Sequence, residues 1–292
     1  MQVSATLLMT DQTVGPADLA HDLEEYGFSA LYLSEHTHIP ASGATPYPLG
    51  GPCPEPYSRL LDPFVALTAA ATVTEQLRLG TAICLVAQHD PIILAKQIAT
   101  LDLLSNQRFT LGIGFGWNRE EAADHGVDFA DRREVARDHV AVMRALWASE
   151  PVGHQGIFAR VQPSRCHPKP TRPGGPRILV GGQGAATTRL FQHICSYGDG
   201  WLAPVLDTSV FENALVRLKT QWRAAGRDPA DLFVVPFLPS PHLAPGPRPG
   251  LPEAERFAEL GITEIIVQLP SAGRGEVRKD MDEYAPLLAQ QS

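Results

Sequence analysis

Apolar positions fall into short continuous runs, separated by segments where they recur every three or four residues. The first behaviour suits a buried parallel strand, the second one face of a helix. The runs predict strands at residues 3–8, 30–33, 77–85, 109–113, 177–180, 201–203, 232–237 and 264–269. The periodic segments predict helices at 16–26, 63–72, 91–104, 132–148, 185–197, 210–225, 253–260 and 277–288. Local chemistry agrees at several ends. Pro16 stands at a helix start and Gly27 follows its last periodic residue, the order expected of proline and glycine around a helix.

Eight strand–helix units in 292 residues, about 36 residues each, match the size of a (β/α)8 TIM barrel. That α/β barrel, as a single domain over 1–292, is the predicted fold, and a doubly wound open sheet is the structural runner-up. The alternation lapses once. Residues 151–176 form a Pro/Gly-rich irregular insertion before the fifth strand, in which 156–162 could make an edge strand or a hairpin. Two loops are long, 36–60 and 239–252. Both follow a strand, so in a barrel both belong to the C-terminal face, where long loops form lids and binding walls. The first carries Pro40, Pro46, Pro48, Pro52, Pro54 and Pro56.

Composition narrows the classes. Lys and Arg number 24 against 32 Asp and Glu, a net charge of -8. No basic face for phosphate neutralisation is expected, and so no nucleic-acid partner. No stretch approaches the roughly 20 apolar residues of a membrane span. The first nine residues show neither a basic segment nor a small-residue cleavage site, which predicts a cytoplasmic protein. Cys53, Cys84, Cys166 and Cys195 are scattered without a CxxC and read as buried free thiols, not a disulfide framework.

Three segments could carry chemistry. Ser34-Glu35-His36-Thr37-His38 closes the second strand. A carboxylate and an imidazole at a strand's C-terminal end can move protons near neutral pH. The His-x-His spacing also invites a metal. Such a site needs ligands at later strand ends, and Val180-Gly181-Gly182, Leu202-Ala203-Pro204 and Val267-Gln268 supply none. No metal is therefore predicted, and His38 reads as a loop anchor. Gly181-Gly182-Gln183-Gly184-Ala185 joins a strand to a helix. Converging N–H groups at a helix start make a phosphate cradle, although a tight turn would need one or two of those glycines. Gly112-Ile113-Gly114-Phe115-Gly116-Trp117 ends the fourth strand without Rossmann spacing. Glycine there can admit a flat ligand.

Taken together, these and other segments resemble the luciferase-like flavin and deazaflavin oxidoreductase family. The resemblance rests on Ser34-Glu35-His36 with Ile39-Pro40, Leu79-Gly80-Thr81-Ala82, Pro91 through Gln97, Leu101-Asp102-Leu103-Leu104-Ser105 and Leu111 through Trp117. Phe129-Ala130-Asp131-Arg132, Val180-Gly181-Gly182 and Gly198-Asp199-Gly200-Trp201 extend it over nearly the whole chain. Within the family the chain looks most like the branch that uses coenzyme F-420, an 8-hydroxy-5-deazaflavin.

The resemblance implies a coenzyme lying across the barrel mouth, its phosphate on Gly181, Gly182, Gln183, Gly184 and Ala185. It implies a non-proline cis peptide at Ala82-Ile83 against the coenzyme ring, with Gly114 and Trp117 also at the coenzyme. It makes Glu35 and His36 the residues that contact the coenzyme or act on substrate, His36 being the expected proton donor or acceptor. Some deazaflavin-dependent relatives have Glu where this chain has Trp117, which argues against a sugar-phosphate substrate and for an apolar or aromatic pocket wall. The expected activity is hydride transfer between the deazaflavin and a small organic substrate. The alternative is an FMN-dependent monooxygenase using reduced flavin and oxygen; a coenzyme-binding protein without turnover and a metal-dependent hydrolase rank behind it. A homodimer is expected, because helices 63–72 and 91–104 are apolar on more than one face, through Phe64, Leu67, Ala70, Ile93, Ile98 and Leu101.

Overall fold

In the computed structural model, which describes residues 1–182, 188–239 and 250–290, eight parallel strands close into a barrel. They are β1 (Gln2–Leu7), β2 (Ala30–Leu33), β3 (Arg78–Thr81), β4 (Phe109–Ile113), β7 (Arg177–Gly181), β8 (Gly200–Pro204), β9 (Phe233–Leu238) and β10 (Glu264–Gln268). Each neighbours the next barrel strand in sequence, and β1 closes against β10 in the register Gln2–Glu264 to Thr6–Gln268. The connecting helices are α1 (Pro16–Tyr26), α2 (Pro63–Ala71), α3 (Pro91–Leu104), α4 (Arg119–Asp124), α5 (Arg132–Trp147), α6 (Thr188–Tyr197), α7 (Thr208–Ala224) and α8 (Leu251–Glu259). After β10 come α9 (Arg274–Asp282) and α10 (Ala285–Leu288).

Two apolar layers result. Inside the barrel, Ala30, Tyr32, Leu179, Leu202, Val235 and Ile266 fill the axis, as inward-pointing positions of a small barrel must. Between strands and helices runs the larger core, in which Trp201 stacks on Phe211 at 5.5 Å. The N-terminal end is plugged by charge. Buried Glu264 accepts from Arg78 at 2.9 Å and from Ser4 at 2.6 Å. That end holds the barrel together and leaves the opposite face for chemistry.

Several predicted boundaries move for identifiable reasons. The third strand stops at Thr81, not Leu85, and the Ala82-Ile83 peptide just after it is cis, as the resemblance implied. Pairing resumes only at an isolated bridge between Cys84 and Ile113. The insertion forms a hairpin of β5 (His154–Gln155) and β6 (Arg160–Val161). The last helix is two helices, with Pro286 opening the second. Helix α4 has no counterpart among the predicted elements, being too short for periodicity to register. The start of the helix expected from Ala185, and with it Gln183 and Gly184, lies outside the described residues, as does the loop at 240–249. The described cysteines are all free; Cys84 and Cys166 are buried, but Cys53 and Cys195 only partly so.

Candidate active site

The segments following β2, β3, β4 and β7 share the C-terminal mouth of the barrel and enclose one cavity of about 670 Å3. Glu35, His36, Ala82, Ile83, Gly114, Trp117, Gly181 and Gly182 all line it. Such a volume accommodates a drug-sized or coenzyme-sized molecule. Tyr47, Pro48, Leu49 and Tyr57, from the long loop after β2, supply part of the wall, and Phe115, Leu206 and Phe237 add apolar surface from other strand ends.

His36 is held from both sides. Its Nδ1 lies 2.8 Å from Oε2 of Glu121, a fully buried residue of α4. Its Nε2 accepts the indole N–H of Trp117 at 3.1 Å. An indole can only donate. Nε2 must therefore carry the lone pair and Nδ1 the proton, which goes to Glu121. The network fixes a neutral imidazole in one tautomer. The other Glu121 oxygen accepts the Thr37 N–H at 3.1 Å. Asn118 caps α4 by accepting the Glu121 N–H at 3.0 Å. Glu121 is the site residue that sequence reading missed. An Asn three residues ahead of a Glu is a helix-start signature, and it stands in Asn118-Arg119-Glu120-Glu121.

Glu35 faces a different task. Its Oε2 accepts the Leu85 N–H at 2.5 Å and its Oε1 pairs with His89 Nε2 at 2.8 Å. Burial would raise its carboxyl, yet the His89 imidazole and the Leu85 N–H outweigh this and hold it below the usual range. Burial pulls the His89 imidazole down, and the hydrogen bond and charge of Glu35 more than restore it, so His89 titrates above its ordinary value. Burial, reinforced by Glu35, pushes the nearby Cys84 thiol well up. Glu35, Cys84 and His89 bring one ligand-type atom each within 4.8 Å of one another. With the thiol protonated and both Glu35 oxygens engaged, the trio forms a hydrogen-bonded knot that fixes the backbone after Ala82-Ile83. The His-x-His pair divides likewise. His38 leaves the mouth and anchors its loop to Asp124 at 3.0 Å.

The glycines serve the bulge. A β-carbon on Gly114 would overlap Ile83 Cδ1, and one on Gly181 would sit 2.7 Å from Ile83 Cγ2. The room the glycines leave is thus taken by Ile83, not directly by a ligand. At Gly182 a β-carbon would come 2.5 Å from Leu190 Cδ2 on α6. That glycine is also needed for helix packing, so a bulky residue there would disturb more than a phosphate cradle.

The loop after β2 is tied down along its length. Thr37 contacts His125 at 2.8 Å, Thr45 donates to Glu120, and Arg59 pairs with Asp11 at 2.6 Å. Its aromatic residues close on the wall that carries His36 and Trp117. Tyr57 lies 5.4 Å from the His36 ring and 5.4 Å from Tyr47, and Tyr47 lies 5.7 Å from Trp117. The two tyrosine hydroxyls bond to each other at 3.1 Å, so one of them donates and the other, accepting, keeps its own O–H. Among the described residues, no helix is long and apolar enough to cross a membrane.

The profile of the luciferase-like monooxygenase family matches residues 14–245. An uncharacterised protein of Mycobacterium tuberculosis is 38% identical over 292 residues, 99% of each chain. The F420-dependent hydroxymycolic acid dehydrogenase of the same organism is 26% identical over 235 residues, 77% of this chain and 59% of that one. Among solved structures, the monooxygenase RslO1 from Streptomyces bottropensis superposes with a TM-score of 0.78 at 22% identity, covering 100% of both chains. The parallel barrel, its mouth and these matches lead to one assignment: the chain belongs to the luciferase-like monooxygenase family.

Proposed function

We propose that the protein is a coenzyme F-420-dependent oxidoreductase that transfers a hydride between the deazaflavin and a small, largely apolar or aromatic organic substrate. The observation that carries this reading is His36, a neutral imidazole of fixed tautomer on the wall of a mouth cavity that also contains the Ala82-Ile83 bulge. The residues present fit a flat ring system, because apolar and aromatic side chains dominate the wall and two glycines seat Ile83 beneath it. The sequence match to an F420-dependent dehydrogenase supports the choice of deazaflavin. When bound, the coenzyme supplies or accepts the hydride at its C5 carbon, without the ready one-electron and oxygen chemistry of a flavin.

The chain's own residues then handle the proton and the surroundings. A substrate hydroxyl competing with the Trp117 N–H for the lone pair on His36 Nε2 can hand its proton to that nitrogen during oxidation; in the reverse direction the imidazolium returns it. Glu121 keeps the ring oriented and stabilises the imidazolium, as a carboxylate behind a catalytic histidine does. Glu35 acts at one remove, by locking the bulge through Leu85 and His89. Tyr47 and Tyr57 cover the wall and keep water from the transfer.

Titration of the purified protein with coenzyme F-420 and, separately, with FMN tests the reading. Micromolar or tighter binding of the deazaflavin is expected, with FMN weaker. Preference for FMN, with oxygen-dependent turnover of the reduced flavin, would replace this reading by the monooxygenase one.

We also propose a homodimer, formed through α2 and α3. The structure corrects which residues would form it, since Phe64, Leu67, Ala70, Ile98 and Leu101 are buried in the chain's own core. Of the residues expected there only Ile93 (61%) is exposed, and Val65 (72%) and Ile92 (47%) join it in an apolar face that a partner would cover. Light scattering at micromolar concentration should give twice the chain mass, and a monomer mass would contradict the proposal.

A further inference from the structure

A second cavity, of about 510 Å3, opens between the start of α3, the α4–α5 connection and the β5–β6 hairpin. It shares no lining residue with the mouth, and the His89–Glu35 hydrogen bond crosses the wall between the two. Hydrogen-bond acceptors dominate its surface. His139 on α5 is 8% exposed, and its Nδ1 lies 3.0 Å from the Val86 carbonyl oxygen. Burial pulls this imidazole below its ordinary value, so it is uncharged at neutral pH. A carbonyl can only accept, so Nδ1 carries the one proton and Nε2 the lone pair. Among the described residues Nε2 has no partner. Gln88, in the short turn between the bulge and α3, has a buried Oε1 that likewise lacks a donor. Three acids rim the cavity. Asp90 and Asp128 each commit one oxygen to backbone N–H groups, those of Ile92 and Ile93 and that of Ala130. Asp131 precedes α5 without bonding a backbone N–H. Among the described residues no Lys or Arg lines the cavity, and the His89 charge is matched by Glu35.

A buried lone pair and a buried carbonyl oxygen without donors are costly until a donor reaches them. Acids at the rim without a cation beside them add a negative potential that concentrates cations. The two features ask for the same ligand. We infer that this second cavity binds a small organic cation bearing N–H donors, an alkylammonium or an alkylguanidinium, with its charge among Asp90, Asp128 and Asp131 and an N–H on His139 Nε2. The volume suits such a molecule. A bare metal ion fits less well. Direct coordination gathers several ligand atoms around one point, and among the described residues the one trio so gathered is Glu35, Cys84 and His89, the knot behind the bulge. Binding in the second cavity requires nothing of the coenzyme or the substrate at the mouth.

Isothermal titration of the purified protein with n-butylamine, methylguanidine and tetramethylammonium tests this with neither coenzyme nor turnover, so its outcome is separate from that of the proposed function. All three are cations at neutral pH, but tetramethylammonium has no N–H. At least one of the first two should saturate a single site with a dissociation constant of about 1 mM or lower. Tetramethylammonium should bind about tenfold more weakly, for want of a charge-assisted hydrogen bond. The double variant Asp90→Asn with Asp131→Asn should weaken the N–H cations about tenfold. Asparagine caps a helix as well as aspartate does, so the fold should survive; Asp131→Asn alone, which removes no capping bond, should weaken binding about threefold. The control Asp207→Asn with Asp228→Asn removes the same charge at two other helix starts and should leave the affinity unchanged. No saturation by either N–H cation up to about 10 mM, equal binding of tetramethylammonium, or equal weakening in the two double variants would each overturn the inference.

Discussion

His36→Ala should lower kcat by about 10²–10⁴-fold, the usual worth of a positioned proton-transfer group. The dissociation constant of the coenzyme should barely move, since the substitution opens space beside the ring site without removing the Ala82-Ile83 backbone. The geometry sharpens this with a second variant. Glu121→Gln keeps the shape behind His36 but removes the negative charge that accepts its Nδ1 proton. Losing an adjacent anion disfavours the imidazolium. The rate-controlling pKa on the acid side of the kcat/KM profile should therefore fall in Glu121→Gln, and kcat should drop in parallel. A purely structural role for Glu121 would reduce the amount of folded enzyme without shifting that profile. Near-normal turnover in His36→Ala would leave the imidazole a packing role and return the proton to solvent.

Replacing residues 41–56 by a short Gly/Ser linker should leave coenzyme binding intact and raise the KM of the true substrate about ten- to a hundredfold, or abolish turnover. The segment contributes Tyr47, Pro48 and Leu49 to the cavity wall, and burying one large apolar side chain against a ligand is worth about 1.5–3 kcal/mol. Its order has visible causes. Prolines restrict the unfolded loop, so fixing it costs less entropy, and the Tyr47–Tyr57 pair locks it onto Trp117 and His36. The linker variant loses the Thr45–Glu120 contact as well, which frees one side of α4, the helix that carries Glu121. Steady-state kinetics beside coenzyme titration separates the two functions. If both kinetic constants survive the replacement, the wall must be built elsewhere on the mouth.

The barrel was legible in the chain because its physics is local. Buried parallel strands must be apolar throughout and covering helices must be apolar on one stripe, so 30–33, 91–104 and 109–113 match the observed elements residue for residue. The mouth was legible too, since a barrel places every strand end on one face. His36, Trp117, Gly114 and Gly182, scattered over 147 positions, line a single cavity for that reason. The cis peptide at Ala82-Ile83 followed from likeness to a family, not from any property of those two residues.

What the sequence could not decide was how side chains from different strand ends divide the work. Adjacent Glu35 and His36 look alike as proton carriers, yet one binds the backbone behind the bulge and the other faces the cavity. Their roles are set by His89 and Glu121, which lie 54 and 85 residues away in the chain. The same holds for the arginines. Read along the chain, Arg132 and Arg133 are a polar helix start; only the folded mouth brings them near Arg119 and Arg189 and places them on the cavity wall. Periodicity encodes which face of an element is buried. Hydrogen bonds and charge compensation depend on distances of a few ångströms between remote residues, and those distances exist only once the barrel has closed.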